Sequence, residues 1–281
     1  MEVKKGGYRS VKIGDIVVGE GQPLLLIGGP CVIEGMEITL EIATVLKEIT
    51  GELDIPFVFK TSYDKANRTS LYSYRGPGLK DGLRVIDRVK SKLGIPVLSD
   101  VHRFDEIAPA AEILDVLQIP AFLCRQTDFI LAVSEAGRPI NIKKGQFLAP
   151  WDVRHVIDKV TSTGNQDILI TERGTTFGYN NLVVDFRGLA IMKGLGWPVI
   201  FDATHSVQLP GGEGKSSGGQ REFAPLLARA AAACGVHGIF LEVHKNPDRA
   251  LCDGPNSIAL DSLESLLKQL KAICHALETC V

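Results

Sequence analysis

The chain has 281 residues and a nearly balanced charge, with 31 lysine and arginine residues against 33 aspartate and glutamate residues. A hydrophobic content of 45% and a charged content of 23% are typical of a globular protein with a sizeable core. Because neither charge is in excess, the composition excludes a strong global attraction to nucleic acid or to a membrane surface. An anionic ligand would need a local cluster of basic side chains.

No run of the sequence has the length and apolar character of a signal-peptide core or of a membrane span. Six cysteines lie at positions 31, 124, 234, 252, 274 and 280, and none of them forms a C-x-x-C pair. We therefore expect a cytoplasmic protein with reduced thiols, in which cysteine serves metal binding or catalysis and not disulfide formation.

Short apolar runs predict secondary structure along the whole chain. Residues 10–19, "SVKIGDIVVG", predict a hairpin that turns at Gly14–Asp15. Eight strands are then predicted at 23–28, 56–60, 95–100, 115–119, 139–143, 167–171, 198–202 and 238–243. Amphipathic helices are predicted between them at 36–50, 80–92, 127–136, 152–161, 184–194 and 219–234, with a final helix at 260–278.

Eight strands that alternate with helices, without a linker or a change of composition, favour a single (β/α)8 TIM barrel over residues 1–281. The predicted hairpin would cap the barrel floor. An open doubly wound sheet is the alternative architecture that the same alternation allows.

Polar or ionisable residues follow all eight predicted strands. In strand order they include Cys31; Lys60; Asp100 and His102; Gln118; Lys143 and Lys144; Glu172 and Arg173; Asp202 and His205; and Glu242 and His244. Active sites of such barrels form at the carboxyl ends of the strands. Since unpaired buried charges cost several kcal/mol each, of the order of 3–5 kcal/mol, this ring favours a ligand site over a structural rim.

Two sub-clusters stand out in that ring. The cationic one suits the binding of phosphate groups and contains Lys60, Lys65, Arg68, Arg125, Lys143 and Arg173. For Arg125 and for Lys144, a solvated surface charge is an equal alternative. The second contains Cys31, His205, Glu242 and Asp253, and His102 or His244 is a further candidate member. Its thiol, imidazole and carboxylate groups suit zinc or ferrous iron. Cys31 as core filler, and each histidine as a structural residue, are the alternatives.

One further segment, "GGEGKSSGG" at 211–219, is similar to a phosphate-binding P-loop, but Leu209 stands where that motif needs glycine. We interpret the segment as a flexible loop that closes over a ligand.

Several long segments resemble one known family. They are "FKTSYDKANRTSLYSYRGPGL", "QIPAFLCRQTD", "NIKKGQFLAPWD", "TERGTTFGYNNLVVDFR", "FDATHSVQLPGG" and "CDGPNS". Together they closely resemble the 3-deoxy-D-manno-octulosonate 8-phosphate synthases, over about residues 24–260. The resemblance implies a (β/α)8 barrel, a cytoplasmic homotetramer, and condensation of phosphoenolpyruvate with D-arabinose 5-phosphate in lipopolysaccharide biosynthesis. Related synthases of a seven-carbon sugar acid carry Lys-Pro-Arg-Thr-Ser where this chain has "KANRTS".

The resemblance also implies roles for the cationic cluster. Lys60, Ser62, Lys65 and Gln118 resemble the residues that hold the phosphoenolpyruvate carboxylate, while Lys143, Arg173 and the backbone N–H of Ala121 resemble its phosphate site. Asn67 and Arg68 resemble binders of arabinose 5-phosphate. Phe122 and Arg125 resemble a pair that reaches the phosphate end from a neighbouring subunit.

The family contains a metal-dependent branch with cysteine after the first strand and a metal-independent branch with asparagine there. Cys31, His205, Glu242 and Asp253 match the metal ligands of the first branch, which implies a divalent metal, zinc or iron before manganese or cobalt. The segment "CDGPN" at 252–256 instead resembles the metal-independent branch, although its Asp253 still supplies the fourth ligand. Cys31 would then be a ligand thiolate.

Proton transfer is assigned to Lys65 and to Asp100 or His102. Two other functions fit the same residues: an aldolase that forms a Schiff base through Lys143 or Lys60, and a regulator that binds a sugar phosphate on a barrel scaffold.

Overall fold

The computed structural model of the chain describes residues 7–212 and 217–279. Eight parallel strands lie at its centre, and each is buried along its whole length, as expected for strands covered on both faces. In chain order they are β1 (Leu25–Gly29), β2 (Phe57–Lys60), β3 (Val97–Asp100), β4 (Val116–Ile119), β5 (Ile140–Lys143), β6 (Ile168–Glu172), β7 (Val199–Asp202) and β8 (Gly238–His244).

The eight strands close into a barrel. Each pairs with its neighbour in the chain, and β8 also pairs with β1, where Gly238 lies opposite Leu25. The predicted (β/α)8 barrel is therefore confirmed. An open doubly wound sheet is wrong for this chain, because such a sheet would leave its two outer strands unpaired. That residues 1–281 form a single domain stays a prediction.

Eight α-helices in the described part of the chain surround the barrel. They are α1 (Met36–Glu52), α2 (Leu79–Leu93), α3 (Phe104–Ile113), α4 (Thr127–Glu135), α5 (Val153–Ser162), α6 (Arg187–Lys193), α7 (Ala224–Ala233) and α8 (Leu260–Thr279). Their apolar faces pack on the outside of the strands in one continuous core, to which α1 contributes Ile42 and Leu46 and α8 contributes Leu263 and Leu270.

The predicted hairpin at 10–19 is present as two antiparallel strands, Val11–Ile13 and Ile16–Val18. Its inward side chains, Val11, Ile13 and Val18, belong to a second apolar cluster with side chains from inside the barrel. Those barrel side chains come from seven strands and are Leu25, Ile27, Val58, Leu98, Val116, Leu169, Ile200 and Phe240. The hairpin therefore closes the floor of the barrel, opposite the end that carries the polar residues.

Three helices differ from the sequence-based prediction. Helix α3 was not predicted, and it contains Pro109, a residue that obscures the helical signal. Helix α7 begins at Ala224 and not near 219, because Gly218–Gly219 pairs with Gln208–Leu209 and a short 3-10 turn over Arg221–Phe223 follows. Helix α6 begins at Arg187, three residues later than predicted.

The loop between β7 and α7 contains the segment predicted to close over a ligand, and its residues 213–216 lie outside the described residues, as does Cys280. Within the described ranges, no helix is both long enough and apolar enough to cross a membrane.

Candidate active site

A pocket of about 180 Å³ opens at the carboxyl end of the barrel. Most of the predicted site residues line it: Lys60, Lys65, Asn67, Arg68, Asp100, His102, Gln118, Ala121, Phe122, Lys143, Arg173, His205 and Asp253. Cys31, Ser62, Arg125 and Glu242 are not part of the pocket wall in the described portion of the chain. The structure thus brings together at one pocket groups that are up to about 190 residues apart in the sequence.

A close approach of two backbones sets the position of Cys31. A side chain on Gly29, at the end of β1, would place its Cβ 2.1 Å from the carbonyl oxygen of Lys60. Only glycine lets the β1 loop pass this close to the end of β2. The Lys60 Nζ in turn donates to the Cys31 carbonyl oxygen over 3.2 Å, so the two loops are tied together.

The cations of the pocket are buried. Lys60, Lys65, Lys143 and Arg173 are each at most 8% exposed. Burial lowers the pKa of Lys143 to about 8, although pairing with the Asp202 carboxylate opposes this. Burial also lowers the pKa of Arg173. For Lys65 the opposite holds, because Cys31, Glu242 and Asp100 outweigh burial and raise its pKa well above the usual value.

Asp202, at the end of β7, connects the cationic side of the pocket to the predicted metal site. Its fully buried carboxylate pairs with Lys143 and lies 2.6 Å from Nδ1 of His205. This contact directs Nε2 of His205 toward Glu242 and Asp253, at 3.4 Å and 3.8 Å. In the sequence, Asp202 is distinguished only by its position at the end of a predicted strand, and this position does not indicate which residues it contacts.

The four predicted metal ligands form two overlapping groups that share Asp253. In one group, ligand atoms of His205, Glu242 and Asp253 all lie within 4.8 Å of one another. In the other, Cys31 and Cys252 join Asp253 within the same limit, and the Cys31 thiol donates to Asp253 over 3.2 Å. Cys252 was not predicted as part of this cluster.

These residues fit a divalent metal. Thiolate, imidazole and carboxylate are ligand types that zinc and iron accept. Glu242 is fully buried, and its Oε2 has no hydrogen-bond partner among the described residues, which leaves one carboxylate oxygen free to bind a cation. Burial raises the pKa of the Cys31 thiol well above its usual value, so in the absence of a cation the thiol is protonated.

A second polar network lies at the end of β3. Asp100 accepts a hydrogen bond from the Ser62 hydroxyl and lies 2.8 Å from Nε2 of His102. Glu106, on α3, lies on the other side of the His102 ring, with its Oε2 3.5 Å from Nδ1. The spacing of His102 and Glu106, four residues apart at a helix start, was the signal that could have identified Glu106.

Gln208 is another pocket residue that sequence reasoning missed. Its side-chain amide donates to Asp253 over 3.2 Å, while its carbonyl oxygen accepts from Arg173 over 2.9 Å. It therefore links the metal-ligand cluster to the cationic cluster. No motif in the sequence distinguishes it from other glutamines.

His244, Ser62 and Arg125 do not line the pocket in the described part of the chain. His244 pairs with Glu34 over 3.5 Å and belongs to neither group of metal-binding residues. The Ser62 hydroxyl donates to Asp100, which does line the pocket. Arg125 is exposed, which is compatible with its predicted contact with a neighbouring subunit.

Comparison with known sequences places the chain in a family of synthases. The sequence model described as the DAHP synthetase I family matches residues 3–279, and the chain belongs to this family.

Individual relatives within the family share one name. The chain is 64% identical, over 92% of its length and 95% of the relative's, to a 2-dehydro-3-deoxyphosphooctonate aldolase of Desulfatibacillum aliphaticivorans. Proteins of the same name from Pelobacter propionicus and Geobacter sp. strain M21 are 61% and 59% identical, each over 94% of this chain and 97% of the relative. The family resemblance found in the sequence is thereby confirmed.

Proposed function

We propose that the chain condenses phosphoenolpyruvate with D-arabinose 5-phosphate and water, giving 3-deoxy-D-manno-octulosonate 8-phosphate and inorganic phosphate, in lipopolysaccharide biosynthesis. The observation that carries the proposal is a single pocket lined by four buried cations, the His205 imidazole and the Asp253 carboxylate, with Cys31 and Glu242 directly beside the last two. Full-length relatives named 2-dehydro-3-deoxyphosphooctonate aldolase support the eight-carbon product over the seven-carbon one.

Phosphoenolpyruvate carries a carboxylate and a phosphate, and the buried cations offset both charges. Lys60, Lys65 and Gln118 bind the carboxylate end, and Ser62 contributes by orienting Asp100 beside it. Lys143, Arg173 and the N–H of Ala121 bind the phosphate. Nη1 of Arg173 is buried without a partner among the described residues, which supports a direct contact with an anionic oxygen.

The sugar phosphate occupies the outer part of the pocket. Asn67 and Arg68 line it and bind arabinose 5-phosphate. Phe122, which lines this pocket, and Arg125 are both exposed, and we assign them to the phosphate end of the sugar bound in a neighbouring subunit of a homotetramer.

The reaction requires three proton movements. C3 of phosphoenolpyruvate bonds to the aldehyde carbon, whose oxygen gains a proton, while water adds at C2 and loses one. The bond between C2 and the bridging oxygen of the phosphate then breaks, the C2 hydroxyl loses its proton to form the ketone, and phosphate leaves with that oxygen. Lys65 and the Asp100–His102 pair line the pocket and are the groups assigned to hold or move these protons. Fixed cations in a water-poor site also stabilise the developing negative charge.

Cys31, His205, Glu242 and Asp253 would hold a divalent metal, zinc or iron before manganese or cobalt. When bound, such a metal supplies Lewis-acid polarisation of the aldehyde or orientation of the attacking water. The site residues beside it keep their own roles: Asp202 orients His205, and Gln208 orients Asp253. We assign the enzyme to the cytoplasm, with small-molecule substrates and neither nucleic acid nor membrane as a partner.

The test is release of phosphate from phosphoenolpyruvate in the presence of arabinose 5-phosphate, before and after chelation, with metal content determined on the same sample. We expect activity that chelation removes and a divalent metal restores. Activity that survives complete metal removal would overturn the metal assignment and leave the synthase. No release with any metal would overturn the synthase.

Two control reactions separate the alternatives. Erythrose 4-phosphate in place of arabinose 5-phosphate should support little turnover, and preferential use of it would indicate the seven-carbon product. Borohydride reduction in the presence of substrate should leave the mass of the chain unchanged, whereas a covalent adduct on Lys143 or Lys60 would indicate a Schiff-base aldolase.

A further inference from the structure

Glu106 is a buried carboxylate to which the reaction as described assigns no task. It lies in the first turn of α3 and is 3% exposed. Its Oε2 accepts hydrogen bonds from the backbone N–H of His102 over 2.8 Å and from the Tyr63 hydroxyl over 2.9 Å. The same oxygen lies 3.5 Å from Nδ1 of the His102 ring, which is an ion-pair distance, and Nδ1 has no hydrogen-bond partner among the described residues.

The opposite side of the ring faces a second carboxylate. Nε2 of His102 lies 2.8 Å from Oδ2 of Asp100, whose other oxygen accepts from Ser62. Nε2 therefore pairs with Asp100 in a hydrogen bond, and Nδ1 lies at ion-pair distance from Glu106. Two carboxylates that flank one ring favour its doubly protonated form, an imidazolium, which has no lone pair with which to accept a proton.

We propose that Glu106 is a positioning residue that fixes His102 as a permanent donor to Asp100 and so excludes His102 as the proton acceptor of the reaction. The inference rests on the proposed function and deepens it, because proton acceptance then falls to Asp100 or to a bound substrate oxygen.

The charges around His102 support this arrangement. The groups that face the ring are Asp100 at the end of β3, Glu106 on α3, and Tyr63 and Asp64 on the loop after β2. Burial lowers the pKa of His102, but the Asp100 and Glu106 carboxylates outweigh burial and raise it to about 9.

The same cluster does not act as a second metal site. Ligand atoms of Asp64, His102 and Glu106 lie within 4.8 Å of one another. However, Arg75 forms two hydrogen bonds with the Asp64 carboxylate, and Oε2 of Glu106, the oxygen that faces the ring, already accepts two. Protein donors therefore bind both carboxylates, which disfavours a cation between them.

The test is the titration of His102 by NMR in the full-length enzyme without substrate. The chain has six histidines, so His102→Gln identifies the signal by its loss. Wild type should remain imidazolium to above pH 8. Glu106→Gln keeps an oxygen acceptor for His102 N–H and Tyr63 but removes the charge, and it should lower the midpoint by about one pH unit or more. Glu112→Gln, an exposed position on the same helix, should leave the midpoint unchanged.

Kinetics on the same variants separate positioning from folding. We expect Glu106→Gln to lower kcat about tenfold with KM for phosphoenolpyruvate within about twofold, because a change in the Asp100–His102 pair affects proton transfer and leaves substrate binding intact. A wild-type midpoint near 6.5, or an unshifted midpoint in Glu106→Gln, would overturn the inference. If His102 titrates as expected above but the enzyme releases no phosphate, only the proposed function is overturned, since the titration uses no substrate.

Discussion

Lys143 shows how a single residue combines charge, burial and packing. Its ammonium group pairs with Asp202 and lies 3.3 Å from the centre of the Phe240 ring, with 5% of the residue exposed. The aromatic ring and the carboxylate favour the charged form, whereas the loss of solvent opposes it, and the net result is a pKa of about 8. The charge of Lys143 therefore changes not far above neutral pH.

This predicts an alkaline limit for phosphoenolpyruvate binding. Above about pH 8 the free enzyme loses the Lys143 charge, so kcat/KM for phosphoenolpyruvate should fall as pH rises through that value. The substrate phosphate, with a second pKa of about 6, does not contribute there. Lys143→Arg should move the limit to higher pH, because a guanidinium retains its proton. Lys12→Arg, at an exposed position on the hairpin, is the control. An alkaline limit at the same pH in Lys143→Arg as in the wild type would show that Lys143 is not the group that causes it.

Among the secondary-structure elements, the N-terminal hairpin and the end of β1 contribute differently to the fold. The hairpin adds no chemistry but covers apolar side chains at the barrel floor that would otherwise face water. At the end of β1, the backbone packs closely against β2, and this contact places Cys31 beside the pocket. The hairpin therefore contributes to stability, and the end of β1 contributes to the geometry of the site.

Two adjacent valines test the role of the hairpin. Val18 is 1% exposed and packs into the barrel floor, whereas Val17 is 37% exposed on the outer face. Val18→Ala should lower the free energy of unfolding by about 2 kcal/mol, and Val17→Ala should change it by less than about 0.5 kcal/mol. Denaturant unfolding of both variants gives the comparison. Equal effects would show that the hairpin does not cap the floor.

A pair of glycines tests the approach of β1 to β2. Gly29→Ala should lower the free energy of unfolding by about 2 kcal/mol or more, since its Cβ would overlap the Lys60 carbonyl oxygen. It should also weaken metal binding, because the Cys31 loop must move. Gly51→Ala, in α1 with no atom within 4 Å of the added Cβ, should be neutral or slightly stabilising. Chemical unfolding and chelator competition measure both effects, and a neutral Gly29→Ala would refute the explanation.

For the whole molecule, the predicted metal ligands come from four separate loops or strand ends of the barrel. Cys31 follows β1, His205 follows β7, Glu242 belongs to β8, and Asp253 lies on the loop after β8. A cation held between them would join the two strands where the barrel closes, β8 and β1, to the neighbouring β7. Its binding is therefore linked to the stability of the complete fold.

Zinc should consequently raise the melting temperature of metal-free enzyme. At a concentration about 100 times Kd, binding stabilises the native state by about 2.7 kcal/mol, which corresponds to several degrees for a chain of this size. Cys31→Ala should reduce the shift, whereas Cys234→Ala, which removes an exposed thiol, should retain it. Differential scanning calorimetry provides the measurement. An equal shift in both variants would exclude Cys31 as a ligand.

Much of the site was predictable because barrel strands place their carboxyl ends on one rim. Lys60, Lys143 and Arg173 each end or follow a buried apolar run, so their arrival at one pocket follows from the alternation of strands and helices. Glu106 and Gln208 could not be predicted in the same way. Their contacts depend on the direction of single side chains on α3 and on the β7–α7 loop, and no sequence period encodes those directions.

From the sequence alone we could predict the eight strands, the hairpin and the members of the polar ring, and could favour a barrel over an open sheet, because alternating apolar runs indicate which residues are buried and which end of each strand is polar. The packing of the barrel was needed to show that Asp202 joins Lys143 to His205, and that Cys252 lies beside Cys31. It also places His102 between two carboxylates. The physical reason is distance: these interactions act over about 3 to 5 Å between groups far apart or differently oriented along the chain, and only the packed barrel sets that separation.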